Sequence, residues 1–111
     1  MIKNITRNHV LAHNVQIAQT PLARMKGLIG ASSLLADSAL VIIPCNSVHM
    51  LFMRFAIDVV FVDKANTVVG ICVNLKPFQL SPLFFKAHKA IELPVGTIAK
   101  TQTAVGDTIG L

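Results

Sequence analysis

Two runs rich in β-branched residues, separated by a short turn, constrain the fold of this chain more than any other feature. The runs are "AIDVVFVD" and "TVVGICVNL", joined by "KAN". Strands joined by so short a connection pair antiparallel. The sequence therefore predicts a β-hairpin near 57–63 and 67–75, with its turn at 63–66.

Further short elements are predicted around this hairpin. Strands are expected near 2–6, 10–18 and 39–43, over a stretch ending at Glu92, and after the Gly-Asp turn at 106–107. A helix is predicted near 21–29, because Thr20 suits an N-cap, Pro21 suits the first helical position, and Leu22, Met25 and Ile29 share one face. The chain is thus predicted to form, over 1–111, a single compact α+β domain dominated by antiparallel β-sheet, and the pattern does not distinguish an open sheet from a barrel-like one.

Composition excludes several classes of protein. Hydrophobic residues make up 53% of the chain and charged residues 14%, which predicts a packed domain rather than a disordered one. Every long apolar stretch is interrupted by a charge or a proline, so no membrane span is expected. No apolar run follows Lys3 and Arg7, so no signal peptide is predicted, and with Cys45 and Cys72 expected to be free thiols the predicted location is cytoplasmic.

Charge patterning argues against nucleic-acid binding. The net charge is +5, but the ten basic residues are spread along the sequence without a run. The chain has no Trp or Tyr, and its six Phe are not interleaved with basic residues. Neither a basic stripe nor a base-stacking surface is predicted.

The segment "IIPCNSVHMLFMRFAIDVVFVD", residues 42–63, concentrates reactive and polar side chains in an apolar context. Pro44 and the nearby β-branched residues favour extended chain, in which Cys45 and His49 share a face but stand ~13 Å apart. This spacing disfavours a local copper site of Cys45, His49 and Met53, and no metal is predicted. A thiol enzyme with Cys45 as nucleophile and His49 or the more distant His88 as base remains an alternative.

Two acidic residues lie inside apolar runs. Asp58 stands between "AI" and "VVFV", with Arg54 and His49 as the nearest partners in sequence. Glu92 stands between "AI" and "LP", and Arg24, Lys89 or a backbone turn are its candidate partners. Burial of an unpartnered carboxylate is costly, so each acid belongs either to a structural hydrogen-bond network or to the polar floor of a pocket.

Residues 76–86, "KPFQLSPLFFK", form an apolar loop framed by two prolines. The favoured interpretation is a lid over the domain's own core, carried by Phe78, Leu83, Phe84 and Phe85. The alternative is a contact surface for a partner, ligand or bilayer.

Several motifs together resemble one known family. They are "A-x-T" with "R-x-x-G-L-x-G" (18–30), "P-C-x-x-V-H-x-x-F-M-x-F-x-I-D-V-V-F-V-D" (44–63), "L-x-P" (75–77), "E-L-P-x-G" (92–96) and "G-D-x-I" (106–109). This set resembles domain-of-unknown-function family 192, also called uncharacterised protein family 0127, across nearly the entire chain. The resemblance implies a small β-rich domain and brings no catalytic residues with it.

The predicted function is a binding module with a pocket around residues 44–58. Its candidate lining is Cys45, His49, Met53, Arg54, Asp58 and Glu92. The sequence shows no Ser-His-Asp set, phosphate-binding Gly loop or zinc spacing, so neither a catalytic template nor a cofactor is predicted. The expected partner is a small molecule or a protein.

Overall fold

The strands of the protein pair into two sheets. The structure is a computed structural model, which describes residues 1–28, 31, 33–51 and 53–111. Its strands are β1 (Ile2–Asn4), β2 (His9–Ala12), β3 (Asn14–Ala18), β4 (Ser38–Ile42), β5 (Ile57–Val62), β6 (Val68–Leu75), β7 (Lys89–Pro94) and β8 (Ile109–Gly110). Two short helices lie in this described part, α1 (Pro21–Lys26) and α2 (Thr97–Thr101).

The larger sheet has the strand order β3-β4-β7-β5-β6, and the smaller one has the order β2-β1-β8. All neighbouring strands run antiparallel except β3 and β4, which are parallel and joined by a crossover that contains α1. Neither sheet closes into a barrel within the described residues. The prediction of an α+β domain dominated by antiparallel sheet is confirmed, and the sheets are open.

The central hairpin forms where the sequence predicted it. β5 pairs antiparallel with β6, and the Asp63 carboxylate accepts hydrogen bonds from the backbone N–H groups of Ala65 and Thr67. Asn66 takes a left-handed conformation with φ of 63°, which Asn tolerates better than most residues. These features fix the turn and hence the register of the hairpin.

The predicted strand over 10–18 is instead two strands in different sheets. The chain breaks at His13, whose backbone N–H donates to the Asp37 carboxylate. β2 then belongs to the smaller sheet and β3 to the larger one. Both runs have strand propensity, but propensity alone does not say where a chain leaves one sheet for another.

Helix α1 starts as predicted and ends earlier. The Thr20 hydroxyl accepts from the Ala23 N–H at 3.1 Å, and Pro21 occupies the first turn. The helix ends at Lys26 because Gly27 adopts φ of 47°, whereas the prediction ran to Ile29, which lies outside the described residues. Leu22 and Met25, predicted to share one face of the helix, are both exposed, and Ala23 packs on the sheet.

The two faces of the larger sheet are covered differently. One face packs against the smaller sheet and α2, forming a core that includes Ile2, Ile98, Ile109 and, from β7, Ile91 and Leu93. We call this the closed face.

The other face is covered by α1 and by loops. Alternate residues of a strand point to opposite faces, so Ala90 and Glu92 of β7 point here, together with Ile57, Val59 and Phe61 of β5. We call this the open face, because irregular segments rather than a second sheet lie over it.

Phe84 anchors the 77–85 loop to the open face. Its ring lies 4.6 Å from that of Phe61, centroid to centroid, and directly over Gly70 of β6. A Cβ at position 70 would lie 2.3 Å from the Phe84 ring. Glycine is therefore required in this strand by close approach of a side chain.

Candidate functional site

A cavity of about 440 Å³ opens on the open face of the larger sheet. Its walls are the end of α1 with residues 24–28 on one side and the 44–50 segment on the other. Its base is formed by Ile42 and Glu92, which belong to the larger sheet, and by Met50 and Met53, which lie between β4 and β5. The cavity thus joins apolar side chains to a few polar ones, which is the usual make-up of small-molecule sites.

Backbone hydrogen bonds hold the 44–50 segment in place. Cys45 N–H donates to the His88 carbonyl, and Met50 N–H donates to the Gln79 carbonyl. In the opposite direction, the Ser81 N–H donates to the Val48 carbonyl, and the Phe84 N–H donates to the Asn46 carbonyl. The segment is therefore extended and paired with the 77–88 stretch, so the cavity wall has a fixed backbone although it contains no regular strand.

Glu92 is the most unusual side chain of the cavity. It lies on the central strand β7, opposite Leu40 of β4 and Val59 of β5, and is only 6% exposed. Its Oε2 atom is buried and has no hydrogen-bond partner among the described residues. Burial raises the pKa of the Glu92 carboxyl from 4.5 to about 7, so that a substantial fraction is protonated at neutral pH.

Asp58 is also fully buried, but unlike Glu92 its carboxylate has several hydrogen-bond donors. Its carboxylate accepts hydrogen bonds from the backbone N–H groups of Asn74, Gly96 and Ile98, at 2.9 to 3.0 Å. Neither Arg54 nor His49, the partners suggested by sequence proximity, is bonded to it among the described contacts. Asp58 therefore ties β5 to the end of β6 and to the start of α2.

Cys45 lies in the cavity wall as a partly buried free cysteine. Its Sγ donates to the Ser47 carbonyl at 3.0 Å. Burial raises the pKa of the Cys45 thiol above its ordinary value; a backbone hydrogen bond with Ser47 and the charge of Arg24 oppose this rise, and the Glu92 carboxylate adds to it. The net upward shift of the pKa favours the thiol over the nucleophilic thiolate.

The sequence-predicted pocket residues separate into two groups. Cys45, His49, Met53 and Glu92 line the cavity together. Arg54 is exposed and Asp58 is buried elsewhere, and neither is among the described residues that line it. Among the residues that the structure describes, no group of three His, Cys, Asp or Glu side chains is placed to hold a metal ion.

The four candidate lid residues also separate. Phe84 is packed on the core, whereas Phe78, Leu83 and Phe85 are exposed, with Phe85 at 84%. The expected lid over the core is therefore formed by a single side chain of the four. The loop backbone pairs with the 44–50 segment, and of the four side chains Phe84 is the one that packs on Phe61.

Sequence reasoning missed the side of the cavity formed by α1. Arg24, Lys26 and Leu28 line it from the segment that carries the "R-x-x-G-L-x-G" motif. The sequence predicts Arg24 as a candidate partner of Glu92 and does not predict it as a residue that lines the cavity. The sequence signal for this wall is the position of the motif, which begins four residues after the helix N-cap Thr20.

No helix in the described part of the chain is both long enough and apolar enough to cross a membrane.

Comparisons with known proteins define the family of this small β-rich domain. The model of DUF192, described as "Uncharacterized ACR", matches residues 2–111. The chain is 34% identical over 115 residues to a "UPF0127 protein" of Thermococcus sibiricus, covering 98% of this chain and 73% of that protein. The chain belongs to this family, as its motifs predicted, and the molecular function of the family is uncharacterised.

Two crystal structures share the fold. A protein of unknown function from Novosphingobium aromaticivorans superposes with a TM-score of 0.79 at 20% identity, over 87% of this chain and 74% of that one. A Sinorhizobium meliloti protein, described as a candidate transcription regulator, superposes with a TM-score of 0.78 at 20% identity, over 86% of this chain and 79% of that one.

Proposed function

We propose that this protein is a binding module for a small organic molecule, which occupies the cavity between α1 and the 44–50 segment. The observation that carries the proposal is the Glu92 carboxyl group, which is buried at the cavity base with Oε2 unpartnered among the described residues. A ligand that donates a hydrogen bond to this oxygen removes an unfavourable feature of the free protein.

The remainder of the cavity supports the same proposal. Met50, Met53 and Leu28 offer apolar contact, and methionine side chains adapt to ligands of different shape. The volume of about 440 Å³ lies within the range of about 300–1,000 Å³ typical of ligand pockets. Burial of the ligand's apolar body would supply affinity, while Glu92 would fix its orientation.

The alternative of a thiol enzyme is less well supported. A nucleophilic cysteine needs a lowered pKa and a neighbouring base. The pKa of Cys45 is raised, and its thiol proton is directed to the Ser47 carbonyl rather than to a histidine. We therefore propose a packing role for Cys45 within the cavity wall.

The proposed location is the cytoplasm. Cys45 and Cys72 are both free thiols, which suits a reducing compartment. The Sinorhizobium protein with the same fold is described as a candidate transcription regulator, but at 20% identity only the fold is shared. The basic residues of this chain are spread along its sequence, and we propose a small-molecule site rather than a nucleic-acid surface.

Methionine-methyl NMR tests the proposal directly. Met25, Met50 and Met53 line the cavity, and the fourth methionine, Met1, is exposed and serves as an internal reference. We expect members of a fragment library of cationic, anionic and neutral compounds to shift the three cavity signals and leave Met1 unchanged.

A variant that obstructs the cavity sharpens this test. Ser47 is an exposed residue of the cavity wall, so Ser47→Trp should abolish these shifts, whereas Lys100→Trp on the distant helix α2 should not. If no compound of any charge shifts the cavity methyl groups, or if Ser47→Trp binds as the wild type does, the proposed function is wrong.

A further inference from the structure

The cavity has an acidic base and a basic rim. Glu92 lies at the base, and the exposed side chains of Arg24 and Lys26 lie on the wall formed by the end of α1. The charges of Glu92 and Arg24 both act on the thiol of Cys45. Beyond the effect of burial, which raises the pKa of Cys45, the Glu92 carboxylate raises this pKa further and Arg24 lowers it.

Apolar side chains line the same cavity as these charged groups. Met50, Met53 and Leu28 line the same cavity, and Met50 and Met53 are buried members of the core on the open face. A ligand that extends from the buried Glu92 to the exposed rim would therefore have a negative group, apolar surface and positive groups within one cavity.

We infer that the ligand is an amino-carboxylate with separated charges, whose ammonium group binds Glu92, whose carboxylate binds Arg24, and whose apolar body packs against Met50 and Met53. This inference rests on the proposed function, because it names the class of ligand for the same cavity. Free ω-amino acids and short hydrophobic peptides both belong to this class.

Simpler ligands leave part of the cavity unmatched. A carboxylic acid without an amine would find no cation at the base and would be repelled there by ionised Glu92. An amine without a carboxylate would pair with Glu92 but leave Arg24 and Lys26 as unfavourable like charges at the rim. A neutral apolar molecule would bury Glu92 Oε2 without a donor.

Matched probes separate these cases. The probes are 6-aminohexanoate, hexylamine and hexanoate, which share a six-carbon chain, with 8-aminooctanoate and the dipeptide leucylleucine added to vary length and shape. Binding is followed through the Met50 and Met53 methyl signals. We expect at least one amino-carboxylate to bind ten times more tightly than hexylamine, and hexanoate to cause no shift.

Three variants assign the ends of the ligand. Glu92→Gln should abolish binding of the amino-carboxylate and of hexylamine. Arg24→Gln should weaken the amino-carboxylate about tenfold and leave hexylamine at or above its wild-type affinity. Arg54→Gln, which changes an exposed arginine outside the cavity lining, should alter neither.

Several results would overturn the inference. One is that hexanoate binds as tightly as 6-aminohexanoate. Another is that Glu92→Gln binds the amino-carboxylate as the wild type does. A third is that Arg24→Gln and Arg54→Gln change the affinity for the amino-carboxylate equally. If other compounds shift the cavity methyl groups but no amino-carboxylate does, the inference is wrong and the proposed function stands. If no compound shifts them, both are wrong. The ranking of probes on the wild-type protein decides the matter even if a variant fails to fold.

Discussion

Asp58 and Glu92 are two buried carboxyl groups on neighbouring strands of one sheet, yet their hydrogen bonding differs sharply. Asp58 points toward α2 and receives three backbone N–H donors. Glu92 points into the open face, where its Oε2 has no partner among the described residues and its pKa rises to about 7. The same chemical group is thus fully hydrogen-bonded on the closed face and only partly satisfied at most on the open face.

The difference follows from what covers each face. The smaller sheet and α2 pack on the closed face, and the start of α2 together with the end of β6 brings backbone N–H groups to Asp58. Irregular segments cover the open face, and their backbone groups pair with one another instead. The buried Glu92 carboxyl there therefore keeps one oxygen without a partner among the described residues.

Removal of the Asp58 carboxylate should have the largest effect on stability. Asp58→Ala leaves three backbone N–H groups without their acceptor, the buried one of Ile98 and the partly buried ones of Asn74 and Gly96, and an unsatisfied buried group costs about 1–3 kcal/mol. We expect a loss of at least about 3 kcal/mol in the free energy of unfolding, measured by urea denaturation. A loss below about 1 kcal/mol would show that these bonds do not stabilise the fold.

The pH dependence of stability should report Glu92. Its pKa is raised in the folded protein, so its contribution to stability is fully present below about pH 4.5 and is lost as the pH rises through about 7. The rise of the pKa from 4.5 to about 7 corresponds to on the order of 3 kcal/mol.

Urea denaturation between pH 4.5 and 8.5 measures this contribution when wild type is compared with Glu92→Gln. Both proteins contain the other titratable groups of the cavity, Cys45 and His49, as well as Arg24 and Lys26, so the difference between the two curves isolates Glu92. Parallel curves would mean that Glu92 titrates normally.

The 77–85 loop offers a smaller, local contrast. Phe84→Ser removes a ring packed on Phe61 and over Gly70, and should cost about 2 kcal/mol because buried aromatic area is lost. Phe85→Ser removes an exposed ring of the same size and should change the free energy of unfolding by less than about 0.5 kcal/mol. Equal losses in thermal or urea melts would contradict the single-residue anchor.

Cys45 should show the weakest response. Because burial raises the pKa of its thiol, iodoacetamide should label it slowly at pH 7 and faster only above the ordinary thiol pKa, with Cys72→Ser as the background. Rapid labelling near pH 6 that His49→Asn abolishes would restore the thiol enzyme as the better account.

Local chemistry made much of the fold predictable. The hairpin turn at Asp63 and Asn66 and the start of α1 at Thr20 depend on residues adjacent in sequence, and both are where the sequence indicated. The break at His13 was not predictable in this way, because it depends on Asp37 and on the separation of the two sheets.

The two acids show the limit more clearly. "AID" and "AIE" are nearly identical contexts for Asp58 and Glu92. The donors that satisfy Asp58 come from residues 16 to 40 positions away in sequence, and no comparable donors reach Glu92 Oε2 among the described residues. Only the packing of distant segments decides which acid is structural and which one faces a cavity.

The most direct test changes each carboxyl group to its amide at pH 8 and measures the free energy of unfolding by urea denaturation. Asp58→Asn replaces one accepting oxygen by an NH₂ group facing backbone N–H donors, so it should destabilise the protein by at least about 2 kcal/mol. Glu92→Gln removes a buried negative charge and should stabilise it by about 1 kcal/mol or more. Opposite signs are the predicted result, and a loss of stability of similar size in both variants would contradict the distinction between an acid that stabilises the fold and an acid that the fold leaves unsatisfied.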